Sequence, residues 1–304
     1  MGSKVVIIGA GNMAQSYIDV LKKHKRFEIL GCFSRNKNKL KKFSELKNIP
    51  YLDNIDLVFN LKKRDLLIVA ITATNLRNFI KTIADVKCTV LLEKPLGINL
   101  RESLTIFKKI KYKKNFFLAL NRRYYGSTLQ VQKKILNQKK IIYVEDHVNF
   151  EKFEKLGFNN KNRKYFFFSH SIHLIDYFNI FGRGKILNIK RIYFKKKQII
   201  LRLDFSSGDV GIYYVTLNSK QKWNVMIFNK NIFFKLQPLE VLTIINHNYK
   251  KKFEYFYDNK YKPGLWRLIN DILKKIHGKK NNLVSINEGL KIMTLVDKIY
   301  QKTQ

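Results

Sequence analysis

The stretch KVVIIGAGNMA, residues 4–14, joins an apolar run, two glycines and the start of an amphipathic segment. Gly9 permits a tight turn, Gly11 removes a Cβ that would block a pyrophosphate, and the small last residue lets helix and strand approach closely. Asn12 and Met13 then open a helix whose N-terminus offers free N–H groups and about half a positive charge. The string alone is a weak signal, but strand, turn and helix in this order favour dinucleotide binding.

Strands and helices alternate over about the first 120 residues. Predicted strands cover residues 27–34, 65–72, 89–93 and 116–120, and predicted helices cover 13–21, 37–46, 75–83 and 100–110. The near-continuous apolar run at 65–72 is typical of a parallel strand covered on both faces. Residues 1–121 are therefore predicted to form an α/β domain with a doubly wound parallel sheet.

The alternation stops after residue 121, and residues 122–304 are predicted to form a second domain of the α+β class. Predicted helices cover residues 129–137, 169–181, 265–276 and 286–300, predicted strands cover 141–150, 189–194, 199–205, 210–217, 224–229 and 233–236, and a loop covers 153–164. Consecutive strands with the turn at 206–209 indicate a mostly antiparallel sheet. Ser285 and Glu288 fit a capping box at the last helix.

Composition bounds the class of protein. A chain of 304 residues with 45% hydrophobic content suits two globular domains. No apolar run reaches the roughly 18–20 residues of a membrane span, which predicts a cytoplasmic protein without one. Cys32 and Cys88 lie in apolar surroundings that are typical of buried thiols rather than a disulfide.

The net charge of +38 is large, but the lysines are spread along the whole chain. We interpret it mainly as a drift of composition, which leaves open an attraction to nucleotides, sugar phosphates, acidic glycans, RNA or a membrane surface. No zinc knuckle, aromatic RNA-binding signature or basic helical repeat accompanies the charge. No specific nucleic-acid partner is therefore predicted.

Two groups of residues have side chains suited to catalysis. Lys94 follows a predicted strand at the carboxyl edge of the sheet and is held by the proline after it, so its ammonium could stabilise charge on an oxygen or pass a proton. Ser169 and His173 share one helix face, with Asp176 one turn beyond. His173 is predicted to act as acid or base. Zinc binding is the less favoured interpretation, because the spacing converges poorly, and no metal is predicted.

The end of the second strand predicts the cofactor. An acidic residue there would accept the ribose hydroxyls of NAD, whereas this chain has Ser34 and Arg35. A guanidinium facing a 2′-phosphate favours NADP over NAD. The alternative is that Arg35 only stacks on the adenine, in which case both cofactors bind alike.

The motifs together resemble the family of glucose-fructose oxidoreductase, inositol dehydrogenase and MocA, which are NAD(P)-dependent sugar oxidoreductases. The matching stretches are Gly9–Ala14, Thr72–Leu76, Glu93–Leu96, Asn121–Tyr124, His173–Asp176 and Pro238–Glu240. They occur in the family's order over nearly the whole chain. The resemblance implies a Rossmann domain followed by an open-faced sheet that forms homodimers or homotetramers.

The resemblance also implies roles for single residues. The Lys94–Pro95 peptide would be cis, Lys94 and His173 would face a sugar, sugar phosphate or nucleotide sugar, and Asn121 and Arg123 would lie near the cofactor. By the same resemblance, Thr72, Asn75 and Glu93 join the cofactor-binding set, and Tyr124 and His170 join the substrate-binding set. Apolar positions expected to need cover on the open face are Ile200, Leu203, Ile212, Tyr214 and Val215.

One departure from the family concerns the catalytic cluster. Ser169 stands where the family usually has an aspartate, four residues before the histidine. Without this carboxylate the predicted base His173 lacks a partner, and Tyr124, Tyr165 or His170 could supply the proton that the aspartate would otherwise provide. The expected activity is hydride transfer to or from a sugar carbon, with surface-glycan synthesis as one setting. The alternative is a catalytically inactive dinucleotide-binding relative that acts as a sensor or assembly partner.

Overall fold

A computed structural model describes residues 2–135, 137–149, 163–195 and 197–303. The chain forms two compact units, which are Met1–Asn121 with Lys260–Leu290, and Arg122–Asn259 with Lys291–Gln304. The return of Lys260–Leu290 to the first unit is not part of the predicted two-segment division. No helix of the described part of the chain is long and apolar enough to cross a membrane.

Strands and helices alternate in the first 121 residues as the sequence predicts. They are β1 (Ser3–Ile8), α1 (Asn12–Leu21), β2 (Phe27–Phe33), α2 (Lys37–Lys47), β3 (Leu66–Val69), α3 (Ala73–Ile83), β4 (Thr89–Glu93), α4 (Leu100–Ile110) and β5 (Phe116–Ala119). Short 3₁₀ turns lie at Asp56–Asn60 and Asn121–Tyr124. All residues of β3, β4 and β5 are buried, as expected of strands covered on both faces.

The remaining elements follow in chain order. They are α5 (Gly126–Lys134), β6 (Ile141–Val148), α6 (Arg163–Phe166), a π-helical turn (Phe167–Ser171), α7 (Ile172–Phe181), β7 (Ile186–Lys195), β8 (Gln198–Phe205), β9 (Val210–Leu217), β10 (Asn224–Phe228), β11 (Phe233–Leu236), β12 (Leu242–Ile245), β13 (Lys250–Phe253), α8 (Phe256–Lys260), α9 (Leu265–Ile276), β14 (Val284–Ser285) and α10 (Ile286–Lys302).

The first unit is built on a six-stranded sheet in the order β14-β5-β4-β3-β1-β2. Its strands are parallel except β14, which pairs antiparallel with β5. The return segment supplies β14 and α9, and α9 packs against α1. The ring of His24 stacks on that of Trp266 with centroids 4.0 Å apart. The predicted doubly wound parallel sheet is confirmed.

The second unit is built on an eight-stranded sheet in the order β13-β12-β11-β10-β6-β9-β8-β7. β6 and β9 are parallel and the other neighbours are antiparallel, so the prediction of a mostly antiparallel sheet is confirmed. Helix α7 packs on β6. A Cβ at Gly211 would lie 2.9 Å from the Phe178 ring, which shows how closely α7 approaches the sheet.

The opposite face of this sheet carries half-exposed apolar side chains. Ile200, Ile212 and Tyr214 lie on it, and Ile200 pairs directly with Tyr214. The predictions for Leu203 and Val215 were wrong, because both are fully buried on the face that α7 covers. Side chains alternate between the faces of a strand, so odd and even positions of one strand cannot share a face.

Several predicted boundaries need correction. Helix α5 begins three residues before the predicted 129–137, the helical segment that contains His173 begins at Arg163, and β7 begins before the predicted 189–194. Residues 150–162, which include most of the predicted loop and the end of one predicted strand, lie outside the described residues. The strands β12, β13 and β14 and the short helix α8 were not predicted.

Single hydrogen bonds explain two features predicted from the sequence, the capping box at the last helix and the turn at 206–209. Ser285 and Glu288 form the expected reciprocal capping box, since Glu288 Oε2 accepts from Ser285 N at 2.9 Å and Ser285 Oγ accepts from Glu288 N at 3.3 Å. At the turn between β8 and β9, buried Asp209 accepts from the Arg183 guanidinium at 2.8 Å and from Lys140 Nζ at 3.2 Å.

Candidate functional site

The turn after β1 is fixed by backbone contacts with both neighbouring strands. Gly9 N donates to Phe33 O at 2.8 Å, and Ala70 N donates to Ile8 O at 2.7 Å. Gly9 has φ +121°, a region that L side chains rarely adopt. A Cβ there would lie 2.9 Å from the Ala70 carbonyl carbon and closer still to its oxygen. Glycine is therefore required at this position by the protein itself.

Gly11 differs from Gly9 in its surroundings. A Cβ at Gly11 would meet no protein atom within 4 Å, and Gly11 caps α1 with an extended backbone. No side chain caps this helix and its first turn holds no acidic residue. The first-turn N–H groups, at Asn12, Met13 and Ala14, are thus available to an anion above an open surface.

A cavity of about 580 Å³ opens beside this turn, at the carboxyl ends of β1, β2 and β3. The predicted cofactor residues that line it are Gly9, Gly11, Ser34, Arg35, Thr72 and Asn75. Asn36, Lys39 and Asn78 also line it and were not predicted. Helical spacing could have indicated two of them, because Lys39 lies one turn after Asn36 and Asn78 lies one turn after Asn75.

The rim of this cavity is held by polar contacts and carries positive charge. Arg35 Nη2 donates to Asn75 Oδ1 at 2.7 Å, and Asn75 Nδ2 donates to Thr72 Oγ1 at 2.8 Å. Arg35 and Lys39 are its cationic side chains, and none of the described residues that line the cavity is Asp or Glu. The rim of this cavity is therefore cationic.

Lys94 lies at the same carboxyl edge, directly after β4. Its neighbour Glu93 is buried and accepts a 2.6 Å hydrogen bond from the Tyr17 hydroxyl. Burial raises the pKa of Glu93, against the hydrogen bond of Tyr17 and the charges of Lys94 and Lys262. Glu93 is therefore held inside the unit and fixes the chain just before the half-buried Lys94. The Lys94–Pro95 peptide is cis, as the resemblance implies.

The predicted residues around position 122 have partners inside their own units. Asn121 Nδ2 donates to Pro263 O at 3.0 Å in the first unit. In the second unit, Arg123 forms two hydrogen bonds with the Asp176 carboxylate, at 2.7 and 2.8 Å. Tyr124 is buried. These contacts give Asn121 and Arg123 positioning roles, and their contact with a cofactor stays a prediction.

The residues predicted to be catalytic in the second unit lie on a helical segment that contains a π-helical turn at Phe167–Ser171. Such turns are frequent at functional sites, because they re-aim the side chains around them. Ser169 Oγ donates to Phe166 O at 3.3 Å and lies 2.8 Å from His170 Nδ1. The His170 ring also stacks on Phe166 with centroids 4.6 Å apart.

This arrangement lets Ser169 orient the His170 ring. Its hydroxyl lies within hydrogen-bond distance of both Phe166 O and His170 Nδ1, so it can hold the imidazole ring by donating to Nδ1 or by accepting from it. His173 is buried one turn further, and Asp176, which the sequence placed beside it, pairs with Arg123 instead. No group of three His, Cys, Asp or Glu side chains within the described ranges could hold a metal.

A second cavity, of about 460 Å³, lies within the second unit. His170, a predicted substrate-binding residue, lines it, as does Glu240 of the matching stretch Pro238–Glu240. Arg122, His147 and Trp223 line it as well and were not predicted as site residues. No pattern in the sequence joins them, since they come from a turn, from β6 and from the segment before β10.

The parallel sheet and the glycine turn are those of a dinucleotide-binding Rossmann domain. Among solved structures, the chain is similar to a dehydrogenase (MviM) from Clostridium difficile, with 20% identity, 99% of both chains covered and a TM-score of 0.80. It is also similar to the UDP-N-acetylglucosamine 3-dehydrogenase GnnA from Acidithiobacillus ferrooxidans, with 10% identity, 99% and 98% covered and a TM-score of 0.79.

A third similar structure is an oxidoreductase from Agrobacterium radiobacter in complex with NAD⁺, L-tartaric acid and magnesium. Its identity is 15%, the coverage is 100% of this chain and 96% of that chain, and the TM-score is 0.77. At these identities the likeness shows the shared fold. No curated protein matches the sequence.

The family model of the Gfo/Idh/MocA oxidoreductases, NAD-binding Rossmann fold, matches residues 3–120. Residues 3–120 thus match the NAD-binding Rossmann domain of that oxidoreductase family. The family resemblance seen in the sequence motifs is confirmed, and with it the NAD-binding Rossmann fold of the first unit.

Proposed function

We propose that the protein is an oxidoreductase that prefers NADP(H) and transfers a hydride to or from a carbon of a sugar or nucleotide sugar. The observation that carries the proposal is the cavity at the glycine turn, with its open surface above Gly11 and its cationic rim. Its position at the carboxyl ends of parallel strands is where open α/β sheets bind ligands.

The cofactor preference follows from the rim. Arg35 is held by Asn75 where an acidic residue would accept ribose hydroxyls in an NAD enzyme. A charge-assisted hydrogen bond to a 2′-phosphate contributes roughly 1.5–3 kcal/mol, which corresponds to about a tenfold to hundredfold preference. Lys39 adds a second cation one turn into α2.

Calorimetric titration with NADPH and NADH tests this preference. Arg35→Ser should remove most of the difference between the two affinities. Arg101→Ser is the matched control, because it removes the same charge from an exposed position of α4 in the same unit. Equal or tighter binding of NADH by the unaltered protein would overturn the preference.

The catalytic proposal rests on Lys94 and His173. A nicotinamide cofactor held at the glycine turn by Gly9, Gly11 and Arg35 would supply the hydride acceptor or donor. In the oxidation direction, His173 takes the proton of the sugar hydroxyl, and the Lys94 ammonium stabilises the charge that develops on that oxygen. Ser169 holds His170, which we propose contacts the substrate and completes the proton path.

Hydride transfer across a panel of sugars and nucleotide sugars tests these roles. Lys94→Met and His173→Asn should each lower turnover by about 10²–10⁴ and leave NADPH affinity nearly intact. Ser169→Asp should leave activity unchanged or raise it if the serine merely replaces the usual acid. The same substitution should weaken sugar binding if Ser169 belongs to an altered pocket. Turnover that survives the loss of both Lys94 and His173 would overturn the mechanism.

The second candidate function is a dinucleotide-binding sensor or assembly partner without catalysis. Ser169 in place of the usual acid is the observation that favours it. Bound cofactor without turnover of any sugar would support it. The GnnA likeness supports including nucleotide sugars in the panel, and a role in surface-glycan synthesis is an expectation that such a substrate would strengthen.

We also propose a homodimer or homotetramer built on the open face of the second sheet. Half-exposed Ile200, Ile212 and Tyr214 lie together on that face, with Met226 further along the sheet. Contiguous apolar surface of this kind is typical of subunit interfaces.

A further inference from the structure

We infer that the cavity of the second unit binds an anionic group of the substrate, a carboxylate or a phosphate. The inference rests on the proposed function and narrows its substrate class from sugars in general to acidic or phosphorylated sugars. It concerns the second unit alone, since every residue that lines this cavity belongs to that unit.

The charge of the cavity wall is the first observation. Arg122, Lys220 and Lys222 line it, against the single carboxylate of Glu240. The chain is basic throughout, so an excess of cations alone would carry little weight. A cationic wall becomes informative when one of its donors is buried and lacks an acceptor.

Arg122 provides that donor. Its Nε is buried and has no hydrogen-bond partner within the described part of the chain. The guanidinium lies 4.9 Å from the centre of the Trp223 ring and 5.9 Å from that of Tyr125, which holds its plane against aromatic faces. A buried N–H without an acceptor is unfavourable, and an anionic oxygen in the cavity would satisfy it with a charge-assisted bond.

The remaining wall suits a sugar ring. Trp223 and Phe166 present flat apolar surfaces, and His170, stacked on Phe166 and held by Ser169, adds a polar group. His147 is fixed on both ring nitrogens, by Thr216 Oγ1 at 2.5 Å and Glu145 Oε1 at 3.2 Å, so it forms a rigid part of the wall. A volume of about 460 Å³ is within the usual range for a small-molecule site.

Binding of matched probes tests the inference independently of catalysis. D-glucose is compared with D-glucuronate and D-glucose 6-phosphate, and UDP-glucose represents a nucleotide sugar, all measured by calorimetry on the NADPH-bound protein. The charged probes should bind at least about tenfold more tightly than glucose. Arg122→Gln and Lys222→Gln should each remove about tenfold of that affinity, whereas Lys190→Gln, an exposed control of equal charge change, should remove none.

The probes also distinguish the sources of the anion. Tighter binding of D-glucuronate indicates that the site takes a carboxylate. Tighter binding of D-glucose 6-phosphate and UDP-glucose indicates that it takes a phosphate. Arg122→Lys keeps the charge and lacks Nε, so it tests the same donor if Arg122→Gln does not fold. Binding of glucose as tight as that of the charged probes, no binding of any charged probe at millimolar concentration, or an equal loss with Lys190→Gln would overturn the inference. Failure of NADPH binding would instead overturn the proposed function.

Discussion

Alanine at Gly9 tests whether the turn after β1 has the backbone conformation described here. Gly9 has φ +121°, which costs a residue with a Cβ about 1–3 kcal/mol. The added methyl would also press on the backbone carbonyl of Ala70, a residue whose N–H is fixed by its hydrogen bond to Ile8 O of β1. Such overpacking adds about 1–3 kcal/mol. Gly9→Ala should therefore lower the free energy of unfolding by about 2–6 kcal/mol in total.

Gly11→Ala is the matched control, because it adds the same methyl two residues away. No protein atom lies within 4 Å of that methyl, and the backbone of Gly11 suits any residue. The loss of stability should be at most about 1 kcal/mol, from the poorer helix cap. NADPH affinity should nevertheless fall by about tenfold or more, since the methyl occupies space that the pyrophosphate needs to reach the N–H groups.

Urea unfolding measures the first effect, and fluorescence titration with NADPH measures the second. The two substitutions should separate cleanly, with stability lost in Gly9→Ala and affinity lost in Gly11→Ala. A Gly9→Ala protein as stable as the original would refute the strained turn. A Gly11→Ala protein with unaltered NADPH affinity would refute pyrophosphate binding at this turn.

Three further predictions concern the second unit. Burial by itself raises the pKa of Asp209, but the hydrogen bonds of Arg183 and Lys140 outweigh it and lower the pKa to about 2. The lowered pKa stabilises the fold by about 2 kcal/mol above about pH 4, and this contribution is lost as the pH falls to about 2. Urea unfolding should show this loss for the original protein and not for Asp209→Asn. Tyr214→Lys should give a monomer in light scattering, with stability changed by less than about 0.5 kcal/mol. Ser169→Ala should weaken sugar binding about threefold to tenfold in calorimetry and leave NADPH affinity unchanged, since it removes one hydrogen bond to His170.

The first unit was predictable because its signals are local. A buried parallel strand is an uninterrupted apolar run, and the turn after β1 needs glycine at one position for backbone reasons alone. The return of β14 and α9 was not visible in the same way. It depends on contacts such as the stacking of His24 on Trp266, which join residues far apart in the sequence.

The second unit shows where pattern reading fails. The apolar residues of β8 and β9 were recognised, but Leu203 and Val215 were given to the wrong face because their register was not followed residue by residue. Arg122 lies in the stretch Asn121–Tyr124 but was given no role, and Trp223 escaped notice because it stands in no motif. Only the fold brings a turn after β5 next to the segment before β10.

The most direct test of the central claim is the transfer of a labelled hydride. The protein is incubated with NADP⁺ and with acidic or phosphorylated sugars deuterated at every carbon, and the cofactor is then analysed by mass spectrometry. The proposed function predicts reduced cofactor that has gained deuterium in its nicotinamide ring, and much less of it with Lys94→Met or His173→Asn. Cofactor that binds saturably yet stays oxidised and unlabelled with every such sugar would contradict it.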